Sequence, residues 1–383
     1  MSHSTGQKRS RRSADRTILT VTLLLVGLGT VMVYSASSSV AAASHGDPAF
    51  YLKRHLVRAV IGLVIMAVLS RARYVPVARL GRPLLILSFV GLVLVLMPSL
   101  GGVGAKGANR WMALGPLTFQ PSDLARFALI LWLADTLTRR REDLGAFREG
   151  LLPILAPVAG ACVLILAEPD FSTAAALALI CGGMIYLAGA RLVHLGALAL
   201  SAAAPVWVFL MSSPYRRTRI SAFLEGGSDL QGANYQVWQS LIGLGSGGIL
   251  GRGLGNSVQK LRFLPEPFND FIFSIVGEEL GFAGAVLTLV LFLVLVVRGL
   301  RIARHAPDIT GALLAAGISM TLGLYVLLNV GVVTSTLPAT GLALPFISYG
   351  GSSLLFSLAG VGVLLSVSRE AALEDLPGEG GRA

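Results

Sequence analysis

Apolar stretches of about 20 residues, long enough to cross a bilayer core of about 30 Å as a helix, recur from residue 17 to residue 367. The pattern predicts ten membrane-spanning helices, at residues 17–35, 55–70, 83–99, 121–137, 151–167, 172–190, 192–211, 273–297, 310–333 and 350–367. Arg58 interrupts the second stretch, and little more than Arg191 separates the sixth from the seventh. The sequence therefore predicts an all-α polytopic membrane protein with one large loop, residues 212–272, between spans seven and eight.

Composition agrees with this class of protein. Of the 383 residues, 54% are hydrophobic and 13% are charged, a balance typical of a polytopic membrane protein. No nucleic-acid partner is expected. Cys162 and Cys181 both lie inside apolar stretches, where they act as small apolar residues and give no support to a disulfide framework.

Basic residues in the short connections predict the orientation of the chain. With the N-terminus inside, the inner connections are rich in arginine: Arg71, Arg73, Arg79, Arg82, Arg139, Arg140, Arg141, Arg148, Arg298, Arg301 and Arg304. The outer connections at 168–171 and 334–349 carry no Lys or Arg. Both termini are therefore expected in the cytoplasm, and residues 212–272 are expected outside as a large extracytoplasmic loop.

The chain then divides into a basic cytoplasmic tail at 1–16, a ten-helix membrane domain at 17–367 and a second cytoplasmic tail at 368–383. A cleaved signal peptide is an alternative for the first stretch, because "QKRSRRSADR" precedes it and small residues follow it. Its apolar region is longer than that of a usual signal peptide, and nine further spans need no removable leader. An uncleaved first helix is the simpler interpretation.

The outer loop is unusual because it is rich in cations: Arg216, Arg217, Arg219, Arg252, Lys260 and Arg262. One interpretation is a long loop that is translocated regardless of its charge. The functional interpretation is an anionic ligand at the outer membrane surface, most naturally a phosphate.

Two further patterns lie in this loop. "YQVWQSLIGLG" predicts a helix with one apolar face, suited either to the membrane interface or to packing on the bundle. The match to G-x-G-x-x-G at Gly243, Gly245 and Gly248 has no preceding strand and no βαβ unit. We therefore reject a dinucleotide site and expect close backbone packing or a hinge.

Charged residues in or beside the spans are candidates for function, since an isolated charge near the bilayer centre costs at least about 2.5 kcal/mol. Pro121 and Ser122 predict a helix start, with Asp123 at the positive end of the helix dipole. Asp123 and Arg126 form an i, i+3 pair that also suits plain bundle stabilisation. By the predicted orientation, five charged residues could line one outward cavity: Arg110, Arg126, Glu168, Asp170 and Asp270.

Four stretches give the chain a family resemblance. They are "GANRWMALGPLTFQPSDLARFAL", "EPDFST", "GRGLGNSVQKLRFLPEPFNDFIFSIVGEELGF" and "LPATGLALPFISYGGSSLL". In this order, and with ten spans from residue 17 to residue 367, the chain resembles the SEDS family, the group that contains FtsW, RodA and SpoVE. The segment "GLGNSVQKL" is more similar to the corresponding segment of FtsW and SpoVE than to that of RodA.

The resemblance implies an inverting peptidoglycan glycosyltransferase that polymerises lipid II at the outer face of the bacterial cytoplasmic membrane, most similar to the division members that act at the septum. It also implies a class B penicillin-binding protein as a transpeptidase partner, together with divisome membrane proteins. The family's essential aspartate falls on Asp270. The arginine before tryptophan falls on Arg110, and Arg126 occupies the position of a usual lysine.

The implied reaction needs a base for the acceptor hydroxyl and positive charge for the departing diphosphate. Asp270 is the expected base, and Arg110, Arg126, Arg216, Arg217, Glu168 and Asp170 are expected to bind substrate. A divalent cation, Mg²⁺ or Mn²⁺, could help to hold the diphosphate. Glu278 and Glu279 lie about 12 Å further along the helix than Asp270, by helix rise. Like Asp123, they are therefore expected to hold the site residues in place and not to contact the substrate.

The chain departs from the family pattern at four positions. Asp123 and Arg126 replace a glutamate and a lysine, which changes reach and hydrogen-bond geometry. Phe268 stands where many members have histidine, and Ala343 stands where a proline is more common. Two other function classes stay open: a flippase for lipid-linked precursors, which would favour inverted repeats and broken helices, and a division scaffold without chemistry.

Overall fold

The structure is a computed structural model, and it describes residues 14–97, 102–103, 110–114, 117–224, 235–261, 263–265 and 267–374. Most of the basic tail predicted at 1–16 and the end of the tail predicted at 368–383 lie outside these residues. The helices are α1 Arg16–His45, α2 Phe50–Arg71, α3 Tyr74–Arg79, α4 Gly81–Leu96, α5 Pro121–Arg139, α6 Leu152–Ala167, α7 Phe171–Leu187, α8 Leu192–Met211, α9 Pro214–Leu224, α10 Tyr235–Ser246, α11 Ile272–Arg304, α12 Ile309–Val333 and α13 Ser353–Glu374. A 3₁₀ turn, Arg141–Gly145, and a π turn, Phe147–Leu151, precede α6.

Every one of the ten predicted segments overlaps a long helix: α1, α2, α4, α5, α6, α7, α8, α11, α12 and α13. In the described part of the chain, 7 helices are long and apolar enough to cross a membrane, namely Arg16–His45, Tyr74–Leu96, Phe147–Ala167, Leu192–Met211, Ile272–Arg304, Ile309–Val333 and Ser353–Ala371. Phe171–Leu187 is apolar but shorter. The chain is therefore a multi-pass membrane protein built from helices.

Helix α5 forms the centre of the bundle, with contacts to α4, α7, α12 and α13. Nearly all of its residues are buried, among them Asp123 and Arg126. It begins at Pro121, as the sequence predicts. Gly81 lets α4 approach closely, because a Cβ there would overlap the main chain of Trp132, and small residues at such contacts are typical of membrane bundles. By contrast, none of the residues of α8 is buried.

A small antiparallel sheet lies between α4 and α5 and was not predicted. Strand β1, Gly102–Val103, pairs with β2, Trp111–Leu114, and β2 pairs with β3, Leu117–Phe119. The last helix also differs from the sequence prediction, since α13 continues past residue 367 to Glu374. The hairpin of β2 and β3 leads directly into α5 and so fixes the segment in front of the bundle's central helix.

The described parts of the segment 212–272, residues 212–224, 235–261, 263–265 and 267–272, are folded. They contain α9 and α10, and α10 packs against α11 and α12. Ser240 Oγ donates to Val333 O at 3.0 Å, and Ser274 Oγ donates to Ser240 O at 2.8 Å. Gly243 lies against Ser274, where a Cβ would come within 2.6 Å of Oγ. One face of α10 therefore packs on the bundle, while Trp238 stays 44% exposed.

Helix α11 is broken at Gly281, whose φ of 70° and ψ of −171° are not helical. The glycine-rich segment 248–253 inserts its main chain at this break. Four hydrogen bonds join the two segments: Arg252 N to Glu278 O (3.0 Å), Gly253 N to Glu279 O (3.0 Å), Phe282 N to Gly248 O (2.8 Å) and Ala283 N to Ile249 O (3.0 Å). The loop thus satisfies the main-chain groups that the broken helix leaves open.

Candidate active site

The third and fourth family stretches meet at the segment before α11. Tyr349 N donates to Phe268 O at 2.9 Å, and Ser348 Oγ donates to Asn269 O at 2.7 Å. Phe268 is buried between Tyr51 and Tyr349, at ring-centroid distances of 4.6 Å and 5.7 Å. At the position where many family members have histidine, this chain therefore places an aromatic ring in an aromatic cluster.

The first stretch reaches the same place through the hairpin of β2 and β3. A Cβ at Gly351 would lie 2.9 Å from the Trp111 ring and 2.9 Å from Thr118 O. Gln120 N donates to Ser352 Oγ at 2.9 Å. The hairpin therefore packs directly on the "ISYGGSS" segment, and only glycine fits at Gly351.

Asp270, the predicted catalytic base, lies one residue before Phe271, which precedes α11. Its side chain is partly exposed. Asn329 Nδ2 donates to its main-chain oxygen at 2.8 Å. A Cβ at Gly341, where φ is +75°, would lie 3.4 Å from Asp270 Oδ2. The carboxylate thus borders the "LPATGLALPF" segment, which sequence analysis had not connected with any reactive group.

The second stretch, "EPDFST", joins the site through Arg110. Arg110 Nε donates to Glu168 O at 2.9 Å, and its Nη2 donates to Pro169 O. Arg110 Nη1 lies 3.6 Å from Asp170 Oδ2. Asp170 in turn caps α7 by accepting from Thr173 N at 3.2 Å. The structure therefore brings Arg110, Glu168 and Asp170 together, at the turn between α6 and α7.

Glu168 is the most perturbed acid in this cluster. Its side chain is buried, and both carboxylate oxygens have no hydrogen-bond partner among the described residues. Burial, together with repulsion from Asp170, raises the pKa of Glu168 to about 8, although Arg110 opposes the shift. A carboxyl group in this state is largely protonated at neutral pH, so Glu168 is able to donate a hydrogen bond there.

Asp123 and Arg126 form a buried pair inside the bundle. Arg126 Nη2 lies 3.1 Å from Asp123 Oδ1, and Ser352 Oγ donates to Asp123 Oδ2 at 2.7 Å. The Arg126 guanidinium lies over the Tyr325 ring at 4.3 Å. Arg126 is only 4% exposed, so this structure does not place it on an open outward surface.

Glu278 and Glu279 bind the outer loop. Glu279 accepts from Ser35 Oγ at 2.7 Å and pairs with Lys260 Nζ at 3.4 Å. Glu278 accepts from Val258 N at 2.9 Å and from Ser257 Oγ. Both glutamates are fully or almost fully buried. They hold the "GLGNSVQKL" segment on α11, and Glu279 also ties it to α1.

Three of the six outer-loop cations, Arg216, Arg217 and Arg219, lie on α9, and Arg262 lies outside the described residues. Arg216 Nη2 donates to Ser212 Oγ at 2.9 Å, and its guanidinium lies over the Phe209 ring at 3.8 Å. Arg217 is exposed. Arg219 Nη1 donates to Ala339 O at 3.1 Å, two residues before Gly341. Of these three arginines, Arg219 is thus the one with a described contact to the segment that borders Asp270.

Arg58 is a buried residue of the site that sequence analysis noted only as an interruption of the second span. It is 2% exposed, its Nη2 donates to Thr118 Oγ1 at 3.2 Å, and its guanidinium lies 4.9 Å from the centroid of the Tyr349 ring. Its presence in an apolar stretch was the signal that could have marked it. It stabilises the contact between the hairpin and the "ISYGG" segment.

Metal ligands are not clustered at this site. Within the described ranges, no group of three or more His, Cys, Asp or Glu side chains could hold a metal ion. A Mg²⁺ ion commonly needs only one or two carboxylates when substrate phosphates supply further oxygens. The single carboxylate of Asp270 meets that smaller requirement.

The sequence of this chain is similar to those of known proteins over nearly its whole length. Residues 15–373 match the family model of the FtsW, RodA and SpoVE proteins, described as cell cycle proteins. The chain is 42% identical over 359 residues to stage V sporulation protein E of Bacillus subtilis strain 168, covering 94% of this chain and 98% of that protein. It is 42% identical over 354 residues to the probable peptidoglycan glycosyltransferase FtsW of Geobacter sp. strain M18, covering 92% and 96%.

Solved structures of similar proteins share the fold. A chain of a peptidoglycan synthase complex, studied for how polymerization and crosslinking are coordinated, superposes with a TM-score of 0.75 at 30% identity, covering 94% of this chain and 98% of that chain. The rod shape determining protein RodA of Thermus thermophilus superposes with a TM-score of 0.67 at 30% identity, covering 93% and 97%. The likeness extends over nearly the whole length of each chain.

Proposed function

The chain belongs to the FtsW/RodA/SpoVE family of cell cycle proteins, and we propose from this membership and from the site that it is a peptidoglycan glycosyltransferase. It polymerises lipid II into β-1,4-linked glycan strands. One observation carries the assignment to this site: four stretches that are far apart in the sequence are joined by direct contacts, the third to the fourth beside Asp270, the fourth to the first at Gly351 and the first to the second at Arg110.

The reaction joins the 4-hydroxyl of an acceptor sugar to the anomeric carbon of a lipid-diphosphate donor, with inversion of the α-linkage. The acceptor oxygen forms the new bond as the bond to the diphosphate breaks. Asp270 takes the hydroxyl proton, which becomes acidic as the bond forms. Its partly exposed carboxylate at the start of α11 suits a sugar that arrives from water.

Positive charge stabilises the departing diphosphate in this proposal. Arg110 is the first candidate, because its side chain stays 31% exposed while two carbonyls and Asp170 orient it. Glu168 was expected to bind substrate, but its side chain is buried. Because it is largely protonated at neutral pH, it does not cancel the positive charge of Arg110. Arg216 and Arg217 supply further positive charge on α9, while Asp123, Arg126, Glu278 and Glu279 support the surrounding structure.

A divalent cation is an optional part of the proposal. Mg²⁺ or Mn²⁺ would be held by Asp270 together with the oxygens of the substrate diphosphate, and when bound it would neutralise the charge of the leaving group. In the proposal, Asp270 still takes the hydroxyl proton and Arg110 still binds the diphosphate without it.

The proposed topology has ten spans, both termini in the cytoplasm and residues 212–272 outside. The arginine-rich inner connections support it. The proposed partners are a class B penicillin-binding protein and other divisome membrane proteins. A role in division at the septum is supported by the "GLGNSVQKL" wording and by the similarity to FtsW. Elongation and sporulation polymerases are the alternatives within the family.

The test of the activity uses the purified full-length protein with lipid II and the class B partner. We expect glycan strands on a gel from the wild-type complex. Absence of strands, with a partner control that shows normal complex formation, would contradict the proposal. Depletion in cells distinguishes the subtype, since filamentous or unseparated cells fit division and rounded cells with normal septa fit elongation.

A lipid II flippase is the second candidate, because the break of α11 at Gly281 is a feature that transporters share. In this protein, however, the main-chain groups freed by the break are bonded to residues 248–253. They are not left to line a cavity for a substrate. Transfer of labelled lipid II across vesicles by a protein that makes no strands would favour the flippase.

A further inference from the structure

Three successive main-chain carbonyls, those of Phe268, Asn269 and Asp270, each accept one hydrogen bond from α12 or from the segment before α13. The donors are Tyr349 N at 2.9 Å, Ser348 Oγ at 2.7 Å and Asn329 Nδ2 at 2.8 Å. Two of the three donors are side chains. The backbone that carries the proposed base is therefore held by α12 and by the "ISYGG" segment.

Asn329 and Ser348 also hold the segment that borders the carboxylate. Asn329 Nδ2 donates a second bond to Leu342 O at 2.8 Å, and Ser348 Oγ accepts from Leu344 N at 2.8 Å. Since two carbonyl oxygens face the Asn329 amide, its nitrogen has to point towards them. Both side chains are 2% exposed or less. Each one therefore joins the main chain of residues 269–270 to that of residues 342–344.

This arrangement holds the backbone that carries the Asp270 carboxylate and the segment beside it. Gly341, one residue before Leu342, is so close that a Cβ there would be 3.4 Å from Asp270 Oδ2. A shift of residues 341–344 would consequently move Gly341, which borders the Asp270 carboxylate. Displacement of a reacting group by about 1 Å can cost about 10² in rate.

We propose that Asn329 and Ser348 are positioning residues for the glycosyl transfer, acting through the Asp270 carboxylate. This inference rests on the proposed function of Asp270 as the base. It assigns a physical role to the "LPFISYGG" stretch, which the reaction itself did not explain. Neither side chain needs to touch the substrate.

The test compares Ser348→Ala and Asn329→Ala with a matched control, Ser319→Ala. Ser319 is also buried in α12, but its Oγ donates to Ala315 O at 2.7 Å within the same helix. We expect Ser348→Ala and Asn329→Ala each to lower kcat for strand synthesis about 10- to 100-fold with KM for lipid II within about twofold. Ser348→Thr, which keeps the hydroxyl, should restore most of kcat, and the control should retain full activity.

A double variant separates positioning from general stability. In the Asp270→Asn background, Ser348→Ala should cause no further loss of kcat, because its effect passes through the missing base. A further loss of the same size, or a loss of activity that only follows a lower Tm, would overturn the inference.

A second readout does not depend on polymerisation. In a protein whose Cys162 and Cys181 are replaced by alanine, an Asp270→Cys thiol should react with a charged methanethiosulfonate at a rate that Asn329→Ala changes severalfold and Ser319→Ala does not. An unchanged rate would refute the positioning role even if the chain were active. A changed rate, found together with a wild-type protein that makes no strands from lipid II with its partner bound, would leave the positioning intact and refute the proposed function instead.

Discussion

Lys260 Nζ lies 3.4 Å from Glu279 Oε1, in an ion pair between the outer loop and α11 whose two side chains are 9% and 0% exposed. Ser35 of α1 donates to the same glutamate at 2.7 Å. A pair buried to this degree depends on both partners, because removal of one leaves an uncompensated charge. The stability of the helix bundle therefore depends on the position of the outer loop, which supplies Lys260.

Lys260→Met should lower the free energy of unfolding by about 3 to 5 kcal/mol, because it leaves Glu279 charged and buried. The double variant Lys260→Met, Glu279→Gln should recover a large part of that loss. Thermal unfolding of the purified protein in detergent measures both. Lys53→Met is the matched control, since Lys53 pairs with Asp47 at 2.8 Å but is 69% exposed, and an exposed pair contributes little to stability. Equal effects at the two lysines would contradict the structural difference between them.

Asp270→Asn keeps the size of the side chain but removes the base, and we expect strand synthesis to fall by about 10² to 10⁴. Asp270→Glu keeps the base but displaces it, so only a trace of activity should remain. Strand length and amount are read on a gel with the partner bound. Asp143→Asn, at an exposed position, serves as the control. Wild-type polymer from Asp270→Asn would end the proposal that Asp270 is the base.

Arg110→Ala should reduce polymerisation by at least about tenfold, because it removes the charge that we propose stabilises the departing diphosphate. Arg110→Lys keeps the charge but loses the two-pronged contact with Glu168 O and Pro169 O. We expect an activity between that of Arg110→Ala and that of the wild type. The measurement is the initial rate at several lipid II concentrations, with exposed Arg304→Ala as the control. Full activity of Arg110→Ala would shift attention to Arg216 and Arg217.

The raised pKa of Glu168 predicts a pH dependence of stability. An acid whose folded pKa is about 8, above its ordinary value of 4.5, holds its proton more tightly in the folded state. Its contribution is therefore complete below the unfolded pKa and is lost as pH rises from about 4.5 through about 8. Tm should fall over this range in the wild type.

The variant Glu168→Gln isolates this effect, because its amide stays neutral at every pH. The fall in Tm between pH 5 and pH 8 should be clearly smaller in Glu168→Gln than in the wild type. Asp170→Asn should lower the pKa of Glu168, since it removes a repelling charge. Parallel curves for the wild type and Glu168→Gln would show that another group causes the dependence.

Topology can be tested with single cysteines in the protein without Cys162 and Cys181. A cysteine at Ser221, exposed on α9, should react with an impermeant maleimide added to intact cells. A cysteine at Asp143, exposed between α5 and α6, should react only after the membrane is opened. The reversed pattern would place Asp270 on the wrong side for lipid II polymerisation.

Helix positions could be predicted well from the sequence because membrane crossing requires a run of apolar residues, and this requirement is local. Asp123 near the start of α5 was also predictable, since the first turn of a helix favours such a residue. The resemblance pointed to Asp270 and Arg110. Their surroundings agree with that choice, but the chemistry assigned to them is still a prediction.

Other features depend on contacts between distant segments and left little signal in the sequence. Asn329 reads as one polar residue in an apolar helix until the structure shows its bonds to Asp270 and Leu342. The hairpin of β2 and β3 is held partly by Arg58, which the hydrophobic pattern treats only as a defect. Arg126 was expected on an outward cavity, whereas the Tyr325 ring and Asp123 enclose it.

The main-chain exchange at Gly281 constrains the order in which the protein is assembled. Until residues 248–253 dock, the carbonyls of Glu278 and Glu279 and the amides of Phe282 and Ala283 lack those partners, at several kcal/mol for each open group in lipid. During synthesis the loop leaves the ribosome before α11, so it is available as soon as that helix enters the membrane. The loop and α11 therefore mature as one unit, and a C-terminal fragment that begins after residue 253 should insert poorly unless the N-terminal fragment is supplied with it.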